Sequence, residues 1–353
     1  MSKLTFIIGN GFDLNCGMKT RFIDMYPSYV QIPSSKPEIA LFKQTIRLDE
    51  TMHFANWSDF EMGMARYAQT CESEGYMLSC LEDFTLYMVD HLTAEQMALS
   101  KTLSTHLKTV AAREFVNSIQ SFYKGLPHND PVRRIDKILQ EDTVDVHFLT
   151  YNYTSALDGI LAMVKSSLDP ERTHINYHEP IHIHGTLHGP VLGVDNEAQL
   201  GDTSFELSTL GKRAFIKPYY NAEFDSSKLN LAIDIIRNSS IICVYGKRFG
   251  DSDKMWNRAV YEWLASDSTH EMIYYDHKSS LYRSSIAWRR MELEESVRKR
   301  LINELGPDSV KEIDVLSRIH VPIGFSIFNI NQSIQSVIDQ ETKNRIRSTG
   351  SRH

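Results

Sequence analysis

Two textures alternate along the chain. Some short stretches are apolar almost without interruption, while longer ones place apolar residues three and four apart. "KLTFIIG" (Lys3 to Gly9), "VDVHFLTYN" (Val144 to Asn152), "SIICVYG" (Ser240 to Gly246) and "EMIYYD" (Glu271 to Asp276) are of the first kind. Their brevity and lack of alternation predict strands covered on both faces, as in a parallel sheet. "INYHEPIHIHG" (Ile175 to Gly185) is extended, but its proline argues against one regular strand. "HVPIGFSIF" (His320 to Phe328) predicts the last strand.

The second texture predicts helices. In "DSDKMWNRAVYEWLA", Asp251 reads as an N-cap, with Met255, Trp256, Ala259, Val260 and Trp263 on one stripe. Strand, turn, helix, strand is the grammar of βαβ units. Between the first two strands, "SDFEMGMARYAQTCESEGYMLSCLEDFTLYMVDHL" and "TAEQMALSKTLSTHLKTVAAREFVNSIQSFYKGL" read as long amphipathic helices, and "SSLYRSSIAWRRMELEESVRKRLINEL" as a charged helix late in the chain. The expectation is an α/β fold: a Rossmann-like, mostly parallel sheet flanked by helices, with a large helical insertion after the first strand. It forms one domain over residues 1–335, with 35–140 as insertion or cap. Residues 336–353 form a C-terminal tail whose end, "DQETKNRIRSTGSRH", reads as frayed or disordered.

Composition narrows the function classes. The chain has 353 residues, 42% hydrophobic and 24% charged, which permits a full core without staples. A net charge of −7 argues against a phosphate-backbone binder, so nucleic acid is an unexpected partner. Cys16, Cys71, Cys80 and Cys243 form no C-x-x-C pair, which suits free thiols in a reducing compartment. No apolar run approaches the roughly 20 residues of a membrane span. The expected location is the cytoplasm, with no membrane partner.

Five stretches carry candidate chemistry. Gly9-Asn10-Gly11-Phe12-Asp13 closes the first strand, where glycines serve a tight turn or let a phosphate or ribose approach the backbone. Leu14 stands where a third glycine would complete the dinucleotide fingerprint. Thr150-Tyr151-Asn152-Tyr153-Thr154 ends the second strand, and Asn152 either caps the next helix or holds a ribose hydroxyl or a water. In "THINYHEPIHIHGTLHG", His182 and His184 would face one side of a strand. They read as two metal ligands, with Asp145, Asp158 or Asp276 to complete the set, or as the source of one general base. His174 and His178 read as structural. Gly246-Lys247-Arg248-Phe249-Gly250-Asp251-Ser252-Asp253 is an ordinary capped loop or a phosphate and ribose cradle. In "NWSDFE" (Asn56 to Glu61), Glu61, one turn from Trp57, reads as a solvated or N-terminal helix charge or as a carboxylate of the insertion facing the cleft.

In this order, G-N-G-F-D, T-x-N-Y-T, H-I-H-G and Y-G-x-x-x-G-x-S-D resemble the AbiH family of bacterial abortive-infection proteins. "GMKTRFIDMY", "NWSDFE" and "GTLHGPVLGVDNE" extend the resemblance over nearly the whole chain. The family's motifs are similar, distantly, to the sirtuin-type NAD fold. That resemblance implies NAD as ligand or substrate and cleavage of its N-glycosidic bond. Asn152 would position ribose or water and His184 would be the base, with His182 as understudy. Gly9, Asn10, Gly11, Phe12, Asp13, Thr150, Tyr153, Gly185, Gly246, Lys247, Arg248, Asp251 and Asp253 would contact the cofactor, and no metal is implied. The sequence departs from the sirtuin pattern at Asn10, Thr154, Lys247 and Arg248, and it lacks the cysteine tetrad of the deacetylase zinc module. Two alternatives stand beside the glycohydrolase. One is a non-catalytic module for a nucleotide or ADP-ribose, acting through a homo-oligomer or a partner protein of the defence system. The other is a metal-dependent hydrolase or nuclease.

Overall fold

The computed structural model describes residues 2–48, 57–167, 174–224, 226–283, 285–305 and 312–350. Nine strands are present among them: β1 Ser2–Ile8, β2 Val144–Thr150, β3 Ile175–Tyr177, β4 Ile181–His182, β5 Gly185–Thr186, β6 Gly189–Pro190, β7 Ile241–Tyr245, β8 Glu271–Tyr275 and β9 Ile319–His320. Seven form one sheet in the order β3-β2-β1-β7-β8-β9, with β4 also paired to β2; β5 and β6 make a separate antiparallel hairpin. Every pairing in the large sheet is parallel. The uninterrupted apolar runs have their reason here. Leu4, Phe6 and Ile8 of β1 face one core and Ile7 faces the other, and β7 divides Ile241, Cys243 and Tyr245 from Ile242 and Val244 in the same way.

Helices Thr105–Ser121, Ala156–Ser167 and Ile330–Gly350 cover the first face. Helices Ser226–Arg237, Lys254–Ser266 and Ala287–Leu305 cover the second. The third core lies off the sheet. It joins helices Phe22–Tyr29, Pro37–Leu48, Trp57–Ala68 and Glu74–Thr102 with Leu192, Val194, Phe215 and Ile216. The expected insertion therefore splits: its first helices form a cap with its own core, while Leu107, Phe115, Ile119 and Ile135 belong to the sheet's flank.

Three local expectations need correction. The last strand stops at His320, because Pro322 has no N–H to continue the ladder. Residues 339–350 continue helix Ile330–Gly350, whose Ile330 and Ile334 anchor its start in the core, and residues 351–353 of the expected frayed end lie outside the described residues. Asp251 is not the cap of the long helix; it opens a short 3-10 turn, and helix Lys254–Ser266 starts after Asp253. As its proline implies, "INYHEPIHIHG" is no single strand; it breaks into β3, β4 and the start of β5.

Candidate active site

From β1 the chain builds the sheet outward on one side through β2 and β3, then returns to the other side with β7, β8 and β9. The order reverses between β1 and β7, and open α/β sheets form ligand crevices at the carboxyl ends of strands around such a reversal. A cavity of about 140 Å³ lies there. Gly9 and Asn10 from the end of β1, Tyr151 and Asn152 from β2, and Gly246 and Lys247 from β7 line it. The cap supplies Glu61 and Leu92, and the loop after β4 supplies His184.

The opening glycines serve a backbone contact. Gly9 N donates to Tyr245 O (2.9 Å) and Gly11 N to Gly246 O (3.1 Å). A Cβ on Gly9 would meet Gly246 O at 2.6 Å, and one on Gly11 would meet Gly246 Cα at 2.6 Å. The two loops touch main chain to main chain, and Gly11 N–H is already committed. Asn10 is pinned as well: its amide donates to Thr20 O (3.1 Å), and its carbonyl accepts from the Thr20 hydroxyl.

Asn152 is held from three directions. Its Nδ2 donates to Gly9 O (3.2 Å) and to Asp13 Oδ1 (2.9 Å). Its own carbonyl lies 2.8 Å from His182 Nδ1, whose Nε2 lies 3.0 Å from Asp158 Oδ2. Both amide hydrogens are used, so the acceptor Oδ1 is what this side chain has left to offer a ligand. Thr154 Oγ1 donates to Asp13 Oδ2 (2.7 Å). Asp13 is buried, and burial raises its pKa to about 7, against the hydrogen bonds from Thr154 and Asn152 and the charge of His182. Burial lowers the proton affinity of His182, but the Asp158 hydrogen bond and charge outweigh it, and the imidazole is raised overall.

Asp13 carries a pH dependence whose sign follows from that shift. A carboxyl raised in the folded state stabilises the fold fully below its unfolded pKa and loses that contribution as pH rises through the folded value. The window therefore runs from about pH 4 to about pH 7. Relative to Asp13→Asn, the parent protein should lose stability across this window, by on the order of 4 kcal/mol at most. Urea unfolding of both proteins at a series of pH values checks the slope; parallel curves would contradict it.

The second wall is a buried ion network. Lys217 Nζ lies 2.8 Å from Glu61 and 3.1 Å from Asp253 Oδ1, and it also donates to Ser252 O (3.2 Å). Lys247 Nζ pairs with Asp253 Oδ2 and sits 4.2 Å over the Tyr151 ring. Side chains of Glu61, Lys217 and Asp253 are at most 5% exposed, so two carboxylates and two ammonium groups balance out of water. Burial pushes the Asp253 carboxyl up, but Lys217 and Lys247 outweigh it and hold the group well below the usual range. Lys217 stays protonated: burial opposes its charge, and Asp253 and Glu61 more than restore it. His184 closes the network with Nε2 2.9 Å from Asp253 Oδ1. The approach is off the line a hydrogen bond requires, and Nε2 has no hydrogen-bond partner. Burial and then Lys217 lower the imidazole's proton affinity, against the attraction of Asp253. It is a neutral ring near pH 7, with the Tyr151 ring edge-on at 5.0 Å.

Matched to a model of the family described as "Bacteriophage abortive infection AbiH", the chain aligns over residues 5–275. The chain belongs to the AbiH family. The matched span contains every residue named above on the cavity wall. No curated protein matches the chain significantly.

In this AbiH chain the residues singled out in the sequence divide in two. Gly9, Asn10, Asp13, Asn152, Tyr153, His184, Gly246, Lys247, Arg248 and Asp253 line the cavity. Five others do not. Phe12 is fully buried against Phe115 and Phe328. Gly11 packs on Gly246. Thr150 is buried, with Oγ1 accepting from Asn152 N. Gly185, at φ +74°, turns the small hairpin. Asp251 faces solvent beside Lys254. His182 and His184 do not share a side, because β4 ends at His182 and the chain turns before His184.

Both ring nitrogens of His182 are used by Asn152 and Asp158, Asp145 pairs with His178, and Asp276 caps helix His277–Leu281. Among the described residues no group of three or more His, Cys, Asp or Glu is placed to hold a metal ion. His174 meets Leu139 O, and His178 stacks on His147. Glu61 is buried, not solvated, and Asn56 of the same motif lies outside the described residues. Lys217 escaped the sequence reading altogether, since "AFIKPYYN" holds no motif; its one signal is a lysine set between apolar residues. All four cysteines are buried and free. Among the described residues no helix is long and apolar enough to cross a membrane.

Proposed function

We propose that this chain acts in abortive infection by binding a nicotinamide dinucleotide and hydrolysing its N-glycosidic bond. The observation behind the reading is the meeting of Asn152 and His184 on one cavity at the sheet's order reversal. Hydrolysis breaks the ribose C1′–N bond, sends its electron pair to the pyridine nitrogen and leaves C1′ oxocarbenium-like; water oxygen then bonds to C1′ and gives up a proton. Asn152 Oδ1 orients the ribose hydroxyl or the water. A neutral imidazole at His184 accepts the proton. Asp13, ionised above about pH 7, faces the positive charge that develops. Arg248 lies exposed on the cavity wall and meets a phosphate there. The cap covers the cavity and excludes water.

Nicotinamide release from NAD tests this. Asn152→Ala and His184→Ala should each lower kcat/KM by about 100-fold or more, with circular dichroism unchanged. Full activity in both variants would sink the assignment.

One observation favours the binding module. His184 Nε2 makes no hydrogen bond, so no partner orients the imidazole to activate water in the resting geometry. Tight NAD or ADP-ribose binding by calorimetry, with no turnover under any condition, would select that reading.

A further inference from the structure

Asp253 Oδ1 serves two neighbours. Lys217 Nζ lies 3.1 Å away and His184 Nε2 2.9 Å away. The lysine makes a hydrogen bond to that oxygen, while the imidazole stays unbonded. Lys247 holds the other oxygen, Oδ2, so with both lysines in place the carboxylate is fixed at two points and cannot turn toward the ring. A carboxylate oxygen can accept two hydrogen bonds, so Lys217 does not exclude the imidazole from Oδ1; it draws that oxygen toward itself, and the ring 2.9 Å away is left out of line.

Lys217 is a cap residue by attachment. It follows Phe215 and Ile216, both buried in the cap's own core, and Glu61 stands on cap helix Trp57–Ala68. The pair Glu61–Lys217 can therefore leave together, as a neutral unit, with no buried charge abandoned. Asp253 would keep Lys247 as its counter-charge.

We propose that Glu61 and Lys217 are positioning residues that couple the cap to His184: with the cap seated, Lys217 orients Asp253 Oδ1 toward itself, and its withdrawal lets that oxygen align with His184 Nε2. The proposal rests on His184 as the base. A base oriented by a carboxylate is the arrangement that makes a working pair, and the seated cap withholds it. The protein turns over slowly with the pair in place and faster with it withdrawn.

The groups facing His184 are Asp253 and Lys247 from the loop after β7, Lys217 and Glu61 from the cap, and Tyr151 and Tyr153 from the end of β2. Asp13 and Arg248 line the same cavity. Of the two cap charges Lys217 weighs more on the ring than Glu61, so removing both favours the protonated imidazole.

The test is the double variant Glu61→Gln/Lys217→Met, which deletes the pair as a unit. Two readouts are taken on the full chain: titration of the His184 ring by nitrogen-edited NMR, assigned with His184→Gln, and nicotinamide release from NAD. The His184 midpoint should rise by about one pH unit, and release should increase roughly tenfold or more. A structural role alone would lower activity and leave the midpoint in place. An unmoved or lowered midpoint overturns the coupling. A raised midpoint with no NAD turnover supports the coupling and overturns the glycohydrolase reading. If the double variant does not fold, Glu61→Asp retains both charges with a shorter reach; a smaller rise supports the coupling, and no rise overturns it.

Discussion

Replacing Asp253 by alanine should cost the fold about 3–5 kcal/mol. This carboxylate faces two ammonium groups, Lys217 and Lys247, and the contact atoms are out of water. Its removal leaves Lys217 to Glu61 alone and Lys247 to the Tyr151 ring, a cation–π contact of about 1–2 kcal/mol. Urea unfolding at pH 7 reads the loss, and a change below about 1 kcal/mol would contradict it. The sign with pH is fixed as well. Asp253 is held well below its unfolded value, so its contribution is present above the ordinary aspartate pKa and disappears as pH falls through the folded one. The gap between parent and variant should therefore close in strong acid. Glu61→Gln/Lys217→Met should cost much less than Asp253→Ala, because it strands no charge.

Gly246→Ala should cost about 2–5 kcal/mol, and it should destroy the cavity as well. Two effects add. The residue sits at φ +67°, where a side chain costs about 1–2 kcal/mol. Its Cβ would lie 2.6 Å from Gly11 Cα and 2.7 Å from Gly11 N, backbone atoms that cannot swing aside, and such overpacking costs about 1–3 kcal/mol. Relief requires the ends of β1 and β7 to part, which carries Lys247 and Asn152's anchor at Gly9 away from each other. Thermal unfolding and NAD or ADP-ribose binding should fall together. Gly159→Ala is the control: nothing lies within 4 Å of its Cβ, the residue is in helix Ala156–Ser167, and the change should stabilise by about 0.5–1 kcal/mol. Equal damage at both positions would refute the close-approach argument.

The candidate site was legible where chemistry sits near a strand end. Asn152 follows β2 by two residues and Gly9 follows β1 directly, so strand patterns alone bring them to one edge. The glycines were legible as glycines but not in their use. A sequence reports that a turn needs no Cβ; whether a ligand or another backbone fills the space depends on what packs there, and here it is Gly246. Phe12 misled because it adjoins the turn while its ring points down into the core with Phe328. His182 and His184 misled because alternation assumes that the strand continues, and a hairpin interrupts it.

A lone carboxylate on an amphipathic helix is usually solvated, and no neighbour of Glu61 in the chain decides between that and a place facing the cleft. What buries it is a lysine 156 positions away. Periodicity, turn residues and motif order are local properties, written in neighbouring side chains, and they determined the parallel α/β sheet, the helical insertion and the family. Ion pairing across segments leaves no such local trace. The pairing of Glu61, Lys217 and Asp253 and the shared oxygen beside His184 exist only once the cap settles on the sheet, and the raised carboxyl of Asp13 only once the turn after β1 packs on Asn152 and Thr154, because burial and charge balance belong to the assembled fold.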